Sequence, residues 1–180
     1  MDNSTQNVTL FAAFVTDILH VYREKQDYYQ ALLQMTEGHD LKDPFGKVPI
    51  SVYNQMCDWV ENNIGKVNTK KVGRQIGKTA FEGMVNYKLI TDKPTPRQVM
   101  DALAVVADQM IQDPKKRGWK IMAATEKSIL MRRTQTFNSS LQFGLLETLI
   151  YKSGAISPSV EYAKSVAAGD AYDEYLITWK

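Results

Sequence analysis

Thr95-Pro96-Arg97-Gln98-Val99-Met100-Asp101-Ala102-Leu103-Ala104-Val105-Val106-Ala107-Asp108-Gln109-Met110, followed after a short basic segment by Trp119-Lys120-Ile121-Met122-Ala123-Ala124-Thr125, is the stretch on which the fold turns. Its first half predicts a helix. Thr95 stands as N-cap, Pro96 at the first helical position and Gln98 where it can close a capping box. Val99, Leu103, Val106 and Met110 recur at helical spacing as its core face, and Pro114 is expected to stop it. In the second half the period changes: Trp119, Ile121, Ala123 and Thr125 alternate, as strand residues do. Glu126 and Lys127 can turn the chain into a second extended run, Ser128 to Thr136, which together predict a hairpin.

N-terminal to this junction the pattern is helical. Between Val8 and Glu37 there is no Gly or Pro, and Leu10, Phe14, Ile18, Val21, Tyr22, Tyr29, Leu32 and Met35 form one apolar stripe. Lys25 falls on that stripe, so the helix is expected to bend or break there. The stretch from Gly38 to Pro49 reads as a loop. Ser51 is expected to cap a second helix carrying Val52, Met56, Trp59 and Val60 and ending at Gly65. A third, starting near Asn68, sets Val72, Ile76, Ala80 and Met84 on one ridge and Gly73, Gly77 and Phe81 on the next.

C-terminal to the junction, Ser139 or Ser140 is expected to cap a helix bearing Leu141, Leu145, Leu146 and Leu149 and closed by Gly154. Val160–Val166, a Gly169-Asp170 turn and Tyr172–Trp179 then predict a second hairpin, with Tyr175, Ile177 and Trp179 on one face. Helices first and antiparallel strands second give an α+β fold in which the late helix covers one sheet face. The chain of 180 residues is expected to be a single domain, residues 1–115 helical and residues 116–180 sheet-forming.

Several chemistries find no support. Gly73-Arg74-Gln75-Ile76-Gly77-Lys78-Thr79 resembles a phosphate-binding loop but is one residue short, with Val72 where the first glycine belongs. Its glycines also sit inside helical periodicity rather than after a strand. They are expected to admit the close approach of another helix or a ligand. His20 and His39, the only histidines, have no partners at metal-ligand spacing, so no metal site is expected. Cys57, the only cysteine, excludes an intramolecular disulfide and reads as a small core residue. No nucleophile elbow or assignable acid–base pair appears, and the chain is read as not an enzyme.

With 22 Lys plus Arg against 20 Asp plus Glu, the net charge gives no reason to expect nucleic acid as a partner. The basic clusters at Lys70, Lys71, Arg74 and Lys78, at Lys115 to Arg117, and at Arg132 and Arg133 read as solvated faces. No run approaches the ~20 apolar residues of a membrane span. The first residues lack the basic region of a signal peptide, and a cytoplasmic location is expected.

Three segments carry a resemblance: Val67-Asn68 through Val72-Gly73-Arg74-Gln75 with Phe81, Phe143-Gly144-Leu145-Leu146, and Gly169-Asp170-Ala171-Tyr172 with Tyr175-Leu176-Ile177-Thr178-Trp179. Over roughly Val52 to Trp179 the chain resembles the H-NOX (heme-nitric oxide/oxygen binding) superfamily, which also includes four-vinyl-reductase-type domains and subunits of the TRAPP vesicle-tethering complex. The departures are specific. Where H-NOX domains place the histidine that ligates heme iron, the alignment puts Ala104, and no histidine lies between Thr95 and Gln112. Where they hold the heme propionates with Tyr-x-Ser-x-Arg, this chain reads Arg133-Thr134-Gln135-Thr136-Phe137.

Without those anchors, the resemblance implies a domain with no cofactor, heme included. It implies an apolar space between helical part and sheet, with Phe14, Phe81, Met84, Leu103, Ala104 and Leu145 as candidate ligand-pocket residues. Two functions follow as expectations. One is a non-heme sensory or ligand-binding domain for a small apolar ligand, signalling to a separate partner protein. The other is an interaction or dimerisation scaffold of the TRAPP-subunit type with a filled pocket, using Tyr22, Tyr28, Tyr29, Tyr172 and Tyr175 as interface. Residual heme ligation through His20 or another ligand is a third reading.

Overall fold

The computed structural model describes residues 4–134 and 137–180; residues 1–3 and the end of the second extended run, Gln135 and Thr136, lie outside the described residues. The predicted first helix is shorter than its apolar stripe. A strand β1 (Thr9–Phe11) precedes α1 (Ala12–Tyr22), and α2 (Gln26–Gln34) follows a break at Lys25, whose φ of −111° and ψ of 81° leave the helical region. The break falls where a charged side chain interrupts the stripe. Val8 to Phe11 are not helical because Leu10 pairs with Val48 of β2 (Lys47–Pro49) and with Ile111 of β3 (Ile111–Gln112), forming a small sheet of order β2-β1-β3.

The same small sheet moves the next helix start. In α3 (Ile50–Ile64) the cap position is Pro49, without a side-chain cap, and Ser51 lies inside the helix. The Ile50 N–H donates to the Val8 carbonyl at 3.0 Å, so the chain enters α3 directly from a paired strand. Gly65, at φ 94°, ends α3 and leads at once into α4 (Lys66–Asn86). The capping box of α5 (Pro96–Met110) forms as expected: the Gln98 N–H donates to Thr95 Oγ1 and the Thr95 N–H to Gln98 Oε1. The helix stops at Met110, ahead of Pro114, because the next two residues join the small sheet.

Beyond Gly118 come β4 (Trp119–Ala124), β5 (Ser128–Arg133), α6 (Ser139–Lys152), β6 (Ser159–Lys164), a short 3-10 turn at Val166–Ala168 and β7 (Asp173–Thr178). Both hairpins belong to one antiparallel sheet of order β4-β5-β7-β6, joined by pairing of β5 with β7 from Ser128↔Thr178 to Arg133↔Asp173. One face, with Ile129, Met131, Tyr175 and Ile177, is buried in the core. The cap of α6 is Asn138 rather than a serine: its Oδ1 accepts from the Leu141 N–H, while the Ser139 hydroxyl donates to Asp173 Oδ2 at 2.7 Å. Gly154, at φ 88°, follows the end of the helix.

The crossing of α4 and α6 explains the glycines that resembled a phosphate loop. A Cβ on Gly73 would overlap the Leu141 carbonyl oxygen, and one on Gly144 the Lys70 carbonyl oxygen. At Gly77 a Cβ would lie 2.8 Å from the Thr148 Cβ. The two backbones meet where only glycine leaves room, and the element before α4 is a helix, not a strand.

Candidate ligand cavity

Where the helices meet the start of the main sheet there is a cavity of about 50 Å³. On α5, Leu103, Val106, Ala107 and Met110 face it, a helical i, i+3, i+4, i+7 set. Phe14 of α1, Tyr53 of α3, and Ile76 and Ala80 of α4 form further helical walls. Ile111, Trp119 and Phe137 close it towards the strands, and α6 contributes Leu141, Gln142 and Leu145. The glycine crossing brings α6 close enough to α4 for both to wall the same space.

The six candidate residues divide. Phe14, Leu103 and Leu145 line the cavity, whereas Phe81, Met84 and Ala104 do not. Met84 is fully buried elsewhere in the core, and Phe81 is half-buried with the Lys152 ammonium 5.8 Å from its ring centre. Ala104 lies about 100° round the helix from Leu103, so the small α5 side chain at the cavity is Ala107. The lining residues that sequence reasoning did not single out as pocket had a signal on α5, where Val106 and Met110 share the stripe of Leu103. Tyr53, Trp119, Phe137 and Gln142 come from separate elements that only the tertiary fold unites.

Polar groups at the wall are few and uncharged. Tyr53 is buried, which together with nearby Cys57 and Asp17 raises its hydroxyl well above the usual range, and that hydroxyl is hydrogen-bonded with Cys57. Burial likewise pushes the Cys57 thiol up, so it stays protonated at neutral pH and is no nucleophile. Trp119 and Gln142 are 7% and 3% exposed. His20 is exposed on α1 and does not line the cavity.

Trp119 also connects the cavity to the sheet. Its ring centre lies 5.8 Å from that of Tyr175, which packs edge-on against Phe143 at 5.5 Å. The Tyr175 hydroxyl donates to the Ser139 carbonyl at 3.3 Å. Beside it the Arg133 guanidinium bonds Asp173 Oδ2 at 2.5 Å, Ser139 Oγ at 2.9 Å and the Phe137 carbonyl at 2.5 Å. Burial alone would raise the Asp173 carboxyl. Hydrogen bonds from Ser139, the Val166 N–H and Arg133, with the guanidinium charge, outweigh it and hold the carboxyl below its ordinary value.

Other basic side chains are similarly engaged. Lys70 and Arg74 reach Glu147 at 2.5 and 3.3 Å, Arg117 reaches Asp113 at 2.7 Å and Arg132 reaches Glu174 at 2.6 Å. Among the described residues no group of His, Cys, Asp and Glu could hold a metal ion, and no helix is long and apolar enough to cross a membrane. Of the tyrosines expected at an interface, Tyr22 and Tyr175 are buried.

Neither a known family model nor a curated protein matches the sequence. Solved structures do match the fold over nearly the whole chain. An H-NOX protein used to probe heme distortion superimposes with a TM-score of 0.70 at 17% identity, covering 95% of each chain. A variant of the Fe(II) unliganded H-NOX protein from K. algicida gives 0.68 at 13% identity, covering 95% of this chain and 97% of that one. An H-NOX domain from Shewanella oneidensis in an Fe(II)CO ligation state gives 0.69 at 10% identity, covering 93% and 97%.

The fold is H-NOX-like. The H-NOX-like architecture accounts for the helical part, the four-stranded sheet and the covering helix in one frame. Heme is the group such a fold implies, and the cavity residues do not fit it: among the described residues no histidine or cysteine lines the space, and the Tyr53 hydroxyl is engaged with Cys57. At about 50 Å³ the space is also several-fold smaller than the ~300–1,000 Å³ of pockets for larger ligands.

Proposed function

We propose that this chain is a heme-free ligand-binding sensor domain: a small uncharged molecule enters the cavity between helices and sheet, and the resulting shift is read by a separate partner protein. The observation that carries the reading is the cavity itself, walled by α1, α3, α4, α5 and α6 on one side and by Trp119 of β4 on the other. A guest there touches both structural layers at once, so a state that admits it differs in how the layers meet. Trp119, packed at a tilt against Tyr175, offers the route from guest to sheet. Membership of the wider group with four-vinyl-reductase and TRAPP-type proteins is part of the same proposal. The scaffold alternative is weakened by the burial of Tyr22 and Tyr175.

A melting-temperature screen with small neutral molecules tests it. At ten times its Kd a one-site ligand stabilises the folded state by about 1.4 kcal/mol, an upward shift of about 3–6 °C for a chain of this size. The shift is expected in the unaltered protein and lost in Ala107→Leu, which fills the space. A screen in which no compact neutral molecule moves the melting temperature contradicts the proposal.

A further inference from the structure

Two side chains on the cavity wall carry polar hydrogens without a partner. Gln142, 3% exposed, and Trp119, 7% exposed, both line the space. Among the described residues no side-chain hydrogen bond involves either of them, whereas the hydroxyl of Tyr53, on the same wall, is engaged with Cys57. The fully buried unpaired side-chain atoms of the described residues lie elsewhere, so these two donors keep some accessible surface, and a donor that no protein group takes is open to a guest. Two on one otherwise apolar wall match the pattern of ligand sites, where a few polar groups fix orientation and the rest supply contact.

We propose that the cavity is shaped for a compact uncharged molecule bearing one hydrogen-bond acceptor, of the small ketone or aldehyde class, whose oxygen meets the Gln142 amide and the Trp119 indole N–H. This rests on the cavity being a binding site and specifies its ligand. An indole can only donate, so the guest must accept, and a carbonyl oxygen has two lone pairs to offer two donors. Among the described residues no Asp, Glu, Lys, Arg or His lines the space, so a charged guest would lose its hydration uncompensated. Size narrows the class further. One water-sized unit takes up about 10–15 Å³, so about 50 Å³ holds a guest of only a few non-hydrogen atoms. Leu103, Ala107 and Leu145 supply apolar wall for the alkyl part.

Acetone and 2-methylpropene, nearly identical in shape and differing by an oxygen for a methylene, make the test. Both are titrated into the ¹⁵N-labelled full chain and into Gln142→Leu, with xenon as an apolar reference. In the unaltered chain acetone should move the Trp119 indole and Gln142 side-chain N–H resonances. The ratio of acetone to 2-methylpropene Kd should rise about tenfold in Gln142→Leu, the loss expected for one hydrogen bond.

If both probes bind but the ratio changes less than twofold, or neither N–H resonance responds to acetone, the polar handle is refuted while the cavity remains a binding site. If xenon and both probes fail to bind, the cavity reading falls with it. Should Gln142→Leu not fold, Trp119→Phe removes the other donor, and the N–H response of the unaltered chain decides alone.

Discussion

The α4–α6 crossing sets the cavity's width, and two glycine-to-alanine substitutions on these helices should have opposite signs. In a helix interior, alanine is favoured over glycine by about 1 kcal/mol. At Gly83 of α4 that gain meets no obstacle. The new Cβ would lie 3.6 Å from Met110 Sδ and 3.7 Å from Val106 Cγ2, in ordinary van der Waals contact. Gly83→Ala is therefore expected to stabilise by about 1 kcal/mol.

At Gly144 of α6 the Cβ would overlap the Lys70 carbonyl oxygen and lie 2.8 Å from the Arg74 nitrogen, both backbone atoms of α4 that cannot rotate aside. The helices must part, and a gap of about 0.5–1 Å forfeits a quarter to a half of the dispersion energy across it. Overpacking of this kind costs about 1–3 kcal/mol or more. Because backbone rather than a flexible side chain is struck, the upper end applies, leaving Gly144→Ala destabilised by about 2 kcal/mol after the propensity gain. Urea denaturation followed by circular dichroism measures both, with unchanged m-values showing that the unfolded state is the same. Equal stability of the two variants, or a stabilised Gly144→Ala, would refute the crossing as described.

Two further substitutions test the buried polar groups. Arg133→Ala leaves the Asp173 carboxylate buried without its cation and should cost about 3–5 kcal/mol at pH 7. Since the native carboxyl is held below its unfolded value, the stability it contributes is present above about pH 4 and lost as pH falls through the lowered native pKa. The gap between variant and parent should therefore shrink towards pH 3, and a pH-independent gap in melting temperature would contradict the assignment. Asp17→Asn has the opposite sign. Burial raises this carboxyl, with Glu82 adding to the rise, against hydrogen bonds from Thr79 and Gln75 and the charge of His20; the Gln75 amide donates to Asp17 Oδ1 at 3.1 Å. Ionising a raised carboxyl costs stability as pH climbs through the native pKa, so the variant should melt higher at pH 7 and like its parent near pH 3. A variant less stable at pH 7 would argue that the charge is favourable where it stands.

Local signals carried much of the architecture. The Thr95–Gln98 capping box, the alternation that begins at Trp119, the charge at Lys25 and the Gly169 turn each act within a few residues, and each appears where the sequence placed it. What lay beyond reach was long-range. β1, β2 and β3 are two or three residues long, too short for a period to show, and they form only because Leu10, Val48 and Ile111 meet across the chain. That pairing displaced three expected boundaries: the start of the first helix, the cap of α3 and the end of α5. At Asn138 the competition was between neighbours: Ser139 is an equally good cap by type, but Asp173 of β7 engages its hydroxyl. The cavity shows the same division, with the stripe of α5 periodic in sequence and the partners Tyr53, Trp119 and Gln142 assembled only by the fold.

Xenon admitted under pressure to crystals of the unaltered chain asks most directly whether the space between helices and sheet accepts a guest. One ordered atom is expected among Phe14, Leu103, Ala107 and Leu145, with Trp119 still packed against Tyr175. Xenon found only elsewhere, or a wall closed over the space with no atom bound, would contradict the account.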